Sequence, residues 1–234
     1  MINKILFAGI LAAASLAMGS SAHAVFIGNI QGGTDFPQGA ISFADTLISY
    51  SPEGPPSVPH QGGFNALGLP NYSGTNSCAN QASCTFVSLG SGGSIVLRFD
   101  DNKLTGSGNN ALDIWIFEVG PNVEDTFVAI SKDGVDWSPV GKVFGSTAGI
   151  DIDAFGFTTT DLFGFIRLTD DSAEGGGGVG GTVGADIDAV GAISTVRTVN
   201  VPEPGTLALA GIGFIALWMR TARSQSRRRA ANLH

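Results

Sequence analysis

The sequence predicts an all-β fold, a single antiparallel β-sandwich over residues 25–200, on three observations. That stretch shows no long 3.6-residue periodicity; its apolar residues come in short or alternating runs; and Gly, Asn, Asp and Pro cut those runs at close intervals. Gly 34 and Pro 10, with 14% charged residues, exclude a long coiled coil and the usual charged, helical enzyme. A hydrophobic content of 43% excludes wholesale disorder. Nothing between the runs has the character of a crossover helix, which excludes a parallel α/β architecture.

In chain order the expected strands are Ala40–Tyr50, Thr85–Leu89, Ser94–Phe99, Leu112–Val119, Thr126–Ser131, Trp137–Val143, Phe163–Leu168, Asp186–Ile193 and Ser194–Val199. In Ser94–Phe99, Ile95, Leu97 and Phe99 share one face, while Ser94, Val96 and Arg98 share the other, the signature of a half-buried strand. Ser131-Lys132-Asp133-Gly134 separates two strands as a hairpin turn, with Gly134 supplying the positive φ such loops need. Residues 50–84, rich in Pro, Asn, Ser and Gly, read as a long surface excursion. Gly175 to Gly181 reads as a flexible loop, with a ligand lid as the other reading. The body is long enough to bury a core without metal or disulfide staples.

The two ends read as addresses rather than fold. Lys4 supplies a positive start, Ile5 to Met18 an apolar stretch, and Ala22-His23-Ala24 the small-x-small site of a signal peptidase. Residues 1–24 are therefore an expected signal peptide, cut between Ala24 and Val25, which implies the Sec translocon and signal peptidase as partners. At the other end Val201, Pro202, Glu203 and Pro204 precede an apolar run, 205–219, expected as a transmembrane helix. Arg220, Arg223, Arg227, Arg228 and Arg229 follow, then a short tail, 230–234. The prolines separate the helix from the body, and the arginines hold its far end on the cytoplasmic side. The run spans only about 22 Å as a helix against a hydrocarbon core of about 30 Å. That length suits a transiently recognised tail better than a plain permanent anchor, which stays the alternative.

Charge and cysteine content narrow the chemistry. The stretch 25–200 carries 19 acidic against 6 basic side chains, which argues against a nucleic-acid partner. Cys78 and Cys84 are the chain's two cysteines, and in an exported protein they are expected to pair; a reactive thiol or metal pair is the alternative. The body holds a single histidine, His60, in a Pro-rich stretch, so neither a Ser-His-Asp set nor a His-Glu-x-x-His zinc site is available. His60 is expected to be an ordinary loop residue. Asp113 and Glu118 flank one strand at an offset of five, on opposite faces, and cannot form one acid/base pair. Asp100-Asp101 and Asp170-Asp171 are expected at solvated strand ends.

An internal echo draws the eye to calcium. Gly149-Ile150-Asp151-Ile152-Asp153-Ala154 and Gly184-Ala185-Asp186-Ile187-Asp188-Ala189 each place two aspartates on one side of an extended segment. Asp151 with Asp153, and Asp186 with Asp188, are candidate calcium ligands, with solvated strand-edge acids as the alternative. Trp115, in a strand dense with Ile and Phe, belongs to the core. Trp137, after the hairpin, is open to packing or to ligand stacking.

Two resemblances follow from these residues. The order Val-Pro-Glu-Pro, apolar run, arginine cluster over 201–229 resembles the PEP-CTERM sorting signal of Gram-negative bacteria. That resemblance implies recognition by an exosortase at the inner membrane and removal of the tail. It also implies a body on the periplasmic side and delivery to the cell envelope or extracellular matrix. Asn65-Ala66-Leu67-Gly68-Leu69-Pro70, Gly93-Ser94-Ile95-Val96-Leu97-Arg98-Phe99, Asp113-Ile114-Trp115-Ile116-Phe117-Glu118, Ser131-Lys132-Asp133-Gly134-Val135-Asp136-Trp137 and Asp186-Ile187-Asp188-Ala189-Val190 together resemble discoidin-like, or galactose-binding-like, jelly-roll sandwiches. That resemblance implies binding of carbohydrate or a cell surface, often with a structural calcium ion. The expected function is a non-enzymatic, cell-surface adhesion or exopolysaccharide-binding module. The alternatives are a carboxylate-dependent carbohydrate-active enzyme and a structural coat component with no small ligand.

Overall fold

The computed structural model describes residues 23–28, 33–54, 56–72, 74, 78–119, 124–174 and 181–198. The expected signal peptide, apart from His23 and Ala24, lies outside the described residues, as do Gly175 to Gly180 and the sorting segment from Val201 to Arg229. Among the described residues no helix is long and apolar enough to cross a membrane.

The fold is all-β, with strands β1 (Val25–Ile27), β2 (Thr34–Phe36), β3 (Thr46–Ser51), β4 (Val87–Ser88), β5 (Ser94–Arg98), β6 (Asn102–Leu104), β7 (Ile114–Glu118), β8 (Thr126–Ser131), β9 (Ser138–Val143), β10 (Thr147–Ile150), β11 (Phe165–Asp170), β12 (Asp186–Ala192) and β13 (Thr195–Arg197). One sheet has five strands in the order β3-β5-β11-β8-β9, the other four in the order β10-β7-β12-β4. Every pair within these two sheets is antiparallel.

The period-2 pattern decides which residues meet between the sheets. In β5, Ile95 and Leu97 are buried while Ser94, Val96 and Arg98 are half-exposed, as the sequence predicts. Ile166 and Leu168 of β11 and Val128 and Ile130 of β8 join them from the five-stranded sheet. Val87, Ile114, Ile116, Ile187, Val190 and Ala192 meet them from the four-stranded sheet. Burial of such side chains stabilises by roughly 1.5–3 kcal/mol each before entropy is counted.

The four-stranded sheet is covered on its other face as well. Trp115, Phe117 and Ala189 pack under Phe36 and Phe43, whose ring centroids are 4.6 Å apart and each 6.0 Å from that of Phe117. All five residues of β7 and all seven of β12 are therefore buried. This third layer explains why Ala40–Tyr50 is not one strand. Gly39–Ser42 forms a 3-10 turn, with Gly39 at φ +62°, that turns Phe43 onto Gly191. The chain then crosses sheets: Ala44 N bonds Val190 O at 3.0 Å, and Asp45 N bonds Arg98 O at 2.9 Å, before β3 begins.

Residues 50–84 are more than a surface excursion. They form short 3-10 turns at Val58–His60, Gly63–Ala66 and Gln81–Ser83, and Ala66 enters the main core. The side-chain amide of Asn65 ties the segment down, donating to Gln81 O at 3.0 Å and Phe86 O at 3.3 Å. Cys78 and Cys84 form the expected disulfide, with Cα atoms 5.0 Å apart. The expected hairpin is also present: Ser131 Oγ accepts from Gly134 N at 2.8 Å, and Gly134 has φ +82°. The short strands β1, β2, β6 and β10 escaped the sequence reading, because runs of three or four residues carry too little alternation to stand out.

A Cβ on Gly191 would stand 2.5 Å from Phe36 and 2.9 Å from Phe43. Gly191→Ala should cost about 1–3 kcal/mol of stability through overpacking of this layer. A lowered urea midpoint measures it; an unchanged one would mean that the layer is not tightly packed.

Candidate functional site

The outer face of the five-stranded sheet is left free by the core. Strand alternation turns Arg167 and Thr169 of β11 outward between buried Ile166, Leu168 and Asp170. Phe127 and Ala129 from β8 and Pro139, Gly141 and Lys142 from β9 complete the lining of a cavity of about 300 Å³. Gly141 has φ +102°, a backbone conformation that favours glycine. Phe127 is 48% exposed and Phe144, beside it, 67%.

Lys142 organises the charges of this face. Its Nζ bonds Asp125 Oδ2 at 2.7 Å and Asp171 Oδ2 at 2.9 Å, and stands 4.9 Å and 5.5 Å from the ring centroids of Phe144 and Phe127. Hydrogen bonds to the two aspartates push the Lys142 pKa up, and the lysine holds Asp171 below the usual carboxylate range. Trp137, half-buried, carries the Arg167 guanidinium 4.6 Å from its ring centroid. The face thus offers flat apolar rings beside fixed donors and acceptors. Trp115, by contrast, is buried in the layer under Phe36 and Phe43, as its sequence context implies.

The carboxylates gather at the strand ends. Asp113, just before β7, stands with Asp151 and Asp153, one oxygen of each lying within 4.8 Å of the other two. Asp151 and Asp153 are not in an extended segment: a 3-10 turn starts at Asp153, whose N–H donates to Asp151 Oδ1 at 2.9 Å. Asp186 and Asp188 lie on β12, where a bulge separates Ile187 from Ala189. Each has its own partners. Ser88 Oγ donates to Asp186, while Asp188 accepts from Asn71 N at 3.1 Å and Tyr72 N at 3.2 Å.

Asp170 is not solvated, as a strand-end position suggested. It is buried, accepting from Gly92 N at 2.8 Å and Ala185 N at 2.7 Å, because the loops at this end close over it. Glu118 is likewise buried, and its Oε1 accepts from Glu124 N at 3.3 Å. Asp113 and Glu118 therefore belong to different carboxylate groups, consistent with their sequence offset. His60 is not a plain loop residue either. Its ring stacks on Phe86 at 5.4 Å and its Nδ1 meets Ser57 Oγ at 2.8 Å. The sulfurs of Cys78 and Cys84 are near it, but they are joined in the disulfide and so are no thiolate ligands.

Burial pushes Glu118 up to about 9, Asp186 to about 7 and Asp188 to about 6. Between its unfolded and folded pKa each group holds its proton more tightly when folded, so stability falls as pH rises through that window. The unfolding free energy from urea titrations should therefore drop steadily from about pH 5 to about pH 9, by up to about 1.4 kcal/mol per pH unit for one group, and the urea midpoint with it. Glu118→Gln should flatten the upper part of that slope; a midpoint that rises with pH there would contradict the assignment.

No curated protein matches this chain. Among solved structures, the C-terminal domain of a chitobiase from Bacteroides fragilis is similar at a TM-score of 0.27 and 14% identity, covering 44% of this chain and 64% of that one. CpGH89CBM32-6 of Clostridium perfringens is similar at a TM-score of 0.30 and 13% identity, covering 54% of this chain and 87% of that one. This chain thus spans less than two thirds of the chitobiase domain. The family described as the PEP-CTERM protein-sorting motif matches residues 200–224, which include Val201-Pro202-Glu203-Pro204, the apolar run and Arg220 and Arg223. The chain carries a PEP-CTERM sorting motif, the mark of an exported protein sorted by an exosortase.

Proposed function

We propose that the protein is a non-enzymatic surface module that binds exopolysaccharide or another surface glycan through the outer face of its five-stranded sheet. The observation that carries the reading is the set of exposed rings, Phe127 and Phe144, beside a cavity whose charges Lys142, Asp125 and Asp171 hold in place. A pyranose presents apolar C–H faces and a rim of hydroxyls. Aromatic rings match the first, and fixed carboxylates and amines the second. Exposed phenylalanines on a sheet face are otherwise a liability for solubility. Trp137, held by Arg167, extends the same face. In this reading the chain enters through the Sec translocon and signal peptidase cuts after Ala24. The 205–219 segment then sits in the inner membrane until an exosortase reads the motif.

Phe144→Ala and Phe127→Ala should each weaken binding on a glycan array about tenfold while leaving the thermal midpoint within about 1 °C, since both rings are exposed. Wild-type protein without glycan affinity would favour the coat-component reading, and release of reducing sugar the enzyme reading.

Pro202→Ala or Glu203→Ala should leave full-length precursor in the inner membrane fraction, detected by mass spectrometry of the C-terminus. Normal processing of both variants would defeat the sorting reading.

A further inference from the structure

The outer face of the five-stranded sheet carries one cation whose donors the protein leaves unused. Arg167 lies within β11 between Val96 of β5 and Ala129 of β8, so neither cross-strand neighbour offers it a carboxylate. It is half-buried, and among the described residues its guanidinium makes no salt bridge and no hydrogen bond. Other basic side chains are placed differently. Arg98 pairs with Asp100, Lys132 with Asp161, and Lys142 with both Asp125 and Asp171. In a stretch with 19 acidic and 6 basic side chains, composition alone would give an arginine an acid partner.

The contact that Arg167 does make orients it. Its Cζ lies over the Trp137 ring, 4.6 Å from the centroid. A ring face attracts a guanidinium through its quadrupole and leaves the five N–H donors to other acceptors. Those donors border the cavity of about 300 Å³ that Arg167 lines with Phe127, Lys142 and Thr169. Lys142 is suited to a different task. Its ammonium already bonds two aspartates, and that trio carries a net negative charge, which accommodates hydroxyls and repels an anion. The cavity therefore has a hydroxyl-binding end at Lys142 and an anion-binding end at Arg167.

We propose that the glycan is acidic and that Arg167 binds the carboxylate of a uronic acid residue. This rests on the glycan-binding reading of the same face and adds a substrate class to it. The paired N–H donors of a guanidinium match the two oxygens of a planar carboxylate, as an ammonium does not. A neutral sugar offers hydroxyls only and leaves the arginine without a counter-charge. Trp137 is a positioning residue: it holds the guanidinium while Phe127 and Phe144 meet the apolar faces of the sugar. Because the body is acidic overall, its long-range field does not draw in a polyanion. Discrimination falls on this one contact, which makes it separable by mutation.

The test uses the full-length chain in detergent and measures binding by calorimetry. Oligosaccharides of galacturonate, glucuronate and mannuronate are each compared with the same oligosaccharide after reduction of its carboxyl groups. At least one uronate should bind about tenfold tighter than its reduced form. Arg167→Gln should bring the two forms to within about twofold, with the reduced form bound as by wild type, and Arg167→Lys should recover only part of the preference. Trp137→Leu keeps the charge and should lower the preference severalfold; it carries the test if Arg167→Gln fails to fold. Equal affinity of wild type for both forms, with Phe144→Ala weakening both, overturns this inference and leaves the glycan reading standing. A preference that persists in Arg167→Gln, or tighter binding of a sulfated oligosaccharide than of every uronate, overturns it too. No binding of any form, with none on the glycan array, overturns both readings.

Discussion

The architecture depends on β7 and β12 being buried from both sides. Phe36 and Phe43 close over Trp115, Phe117 and Ala189 on one face, while the five-stranded sheet covers Ile114, Ile116 and Val190 on the other. A half-buried strand can point its polar residues at water; a doubly covered one cannot. The polar residues around β7 and β12 are thus drawn inside, where backbone N–H groups, a shared proton or a cation has to satisfy them. Asp113 at one end of β7 and Glu118 at the other both follow from that constraint.

The same constraint divides labour between the sheets. With one sheet sandwiched, the outer face of the other is uncovered among the described residues, and there the alternation of β11 presents Arg167 and Thr169 outward. Lys142 bridges Asp125 and Asp171 on this face, so these charges are paired and held in fixed positions, with Asp125 buried and the other two partly exposed. The buried acids at the strand ends behave in the opposite way. Their environment moves their proton affinities and couples stability to pH.

Several elements were legible in the chain itself because their signals are local. Ser94–Arg98 alternates visibly, Ser131 to Gly134 carries hairpin chemistry, and two cysteines in an exported chain leave one partner each. The sorting motif reads from adjacent residues in order. The run Ala40–Tyr50 misled because its apolar content serves two sheets in turn, and strand propensity does not report a crossover. The burial of Asp170 and His60 was equally hidden, since loops distant in sequence cover both.

The candidate sites divide along the same line. Trp137 and the aspartates 151, 153, 186 and 188 could be picked out by residue type and spacing. That Asp113 joins Asp151 and Asp153, or that Phe127, Phe144 and Lys142 share a face, could not. Sequence alone determined the all-β class, most of the longer strands, the disulfide and the sorting motif, because each rests on short-range patterns of polarity, turn chemistry and order. Tertiary structure decided the third layer, the carboxylate groupings and the open aromatic face, because strand register and two-sided burial are set by contacts between residues far apart in the chain.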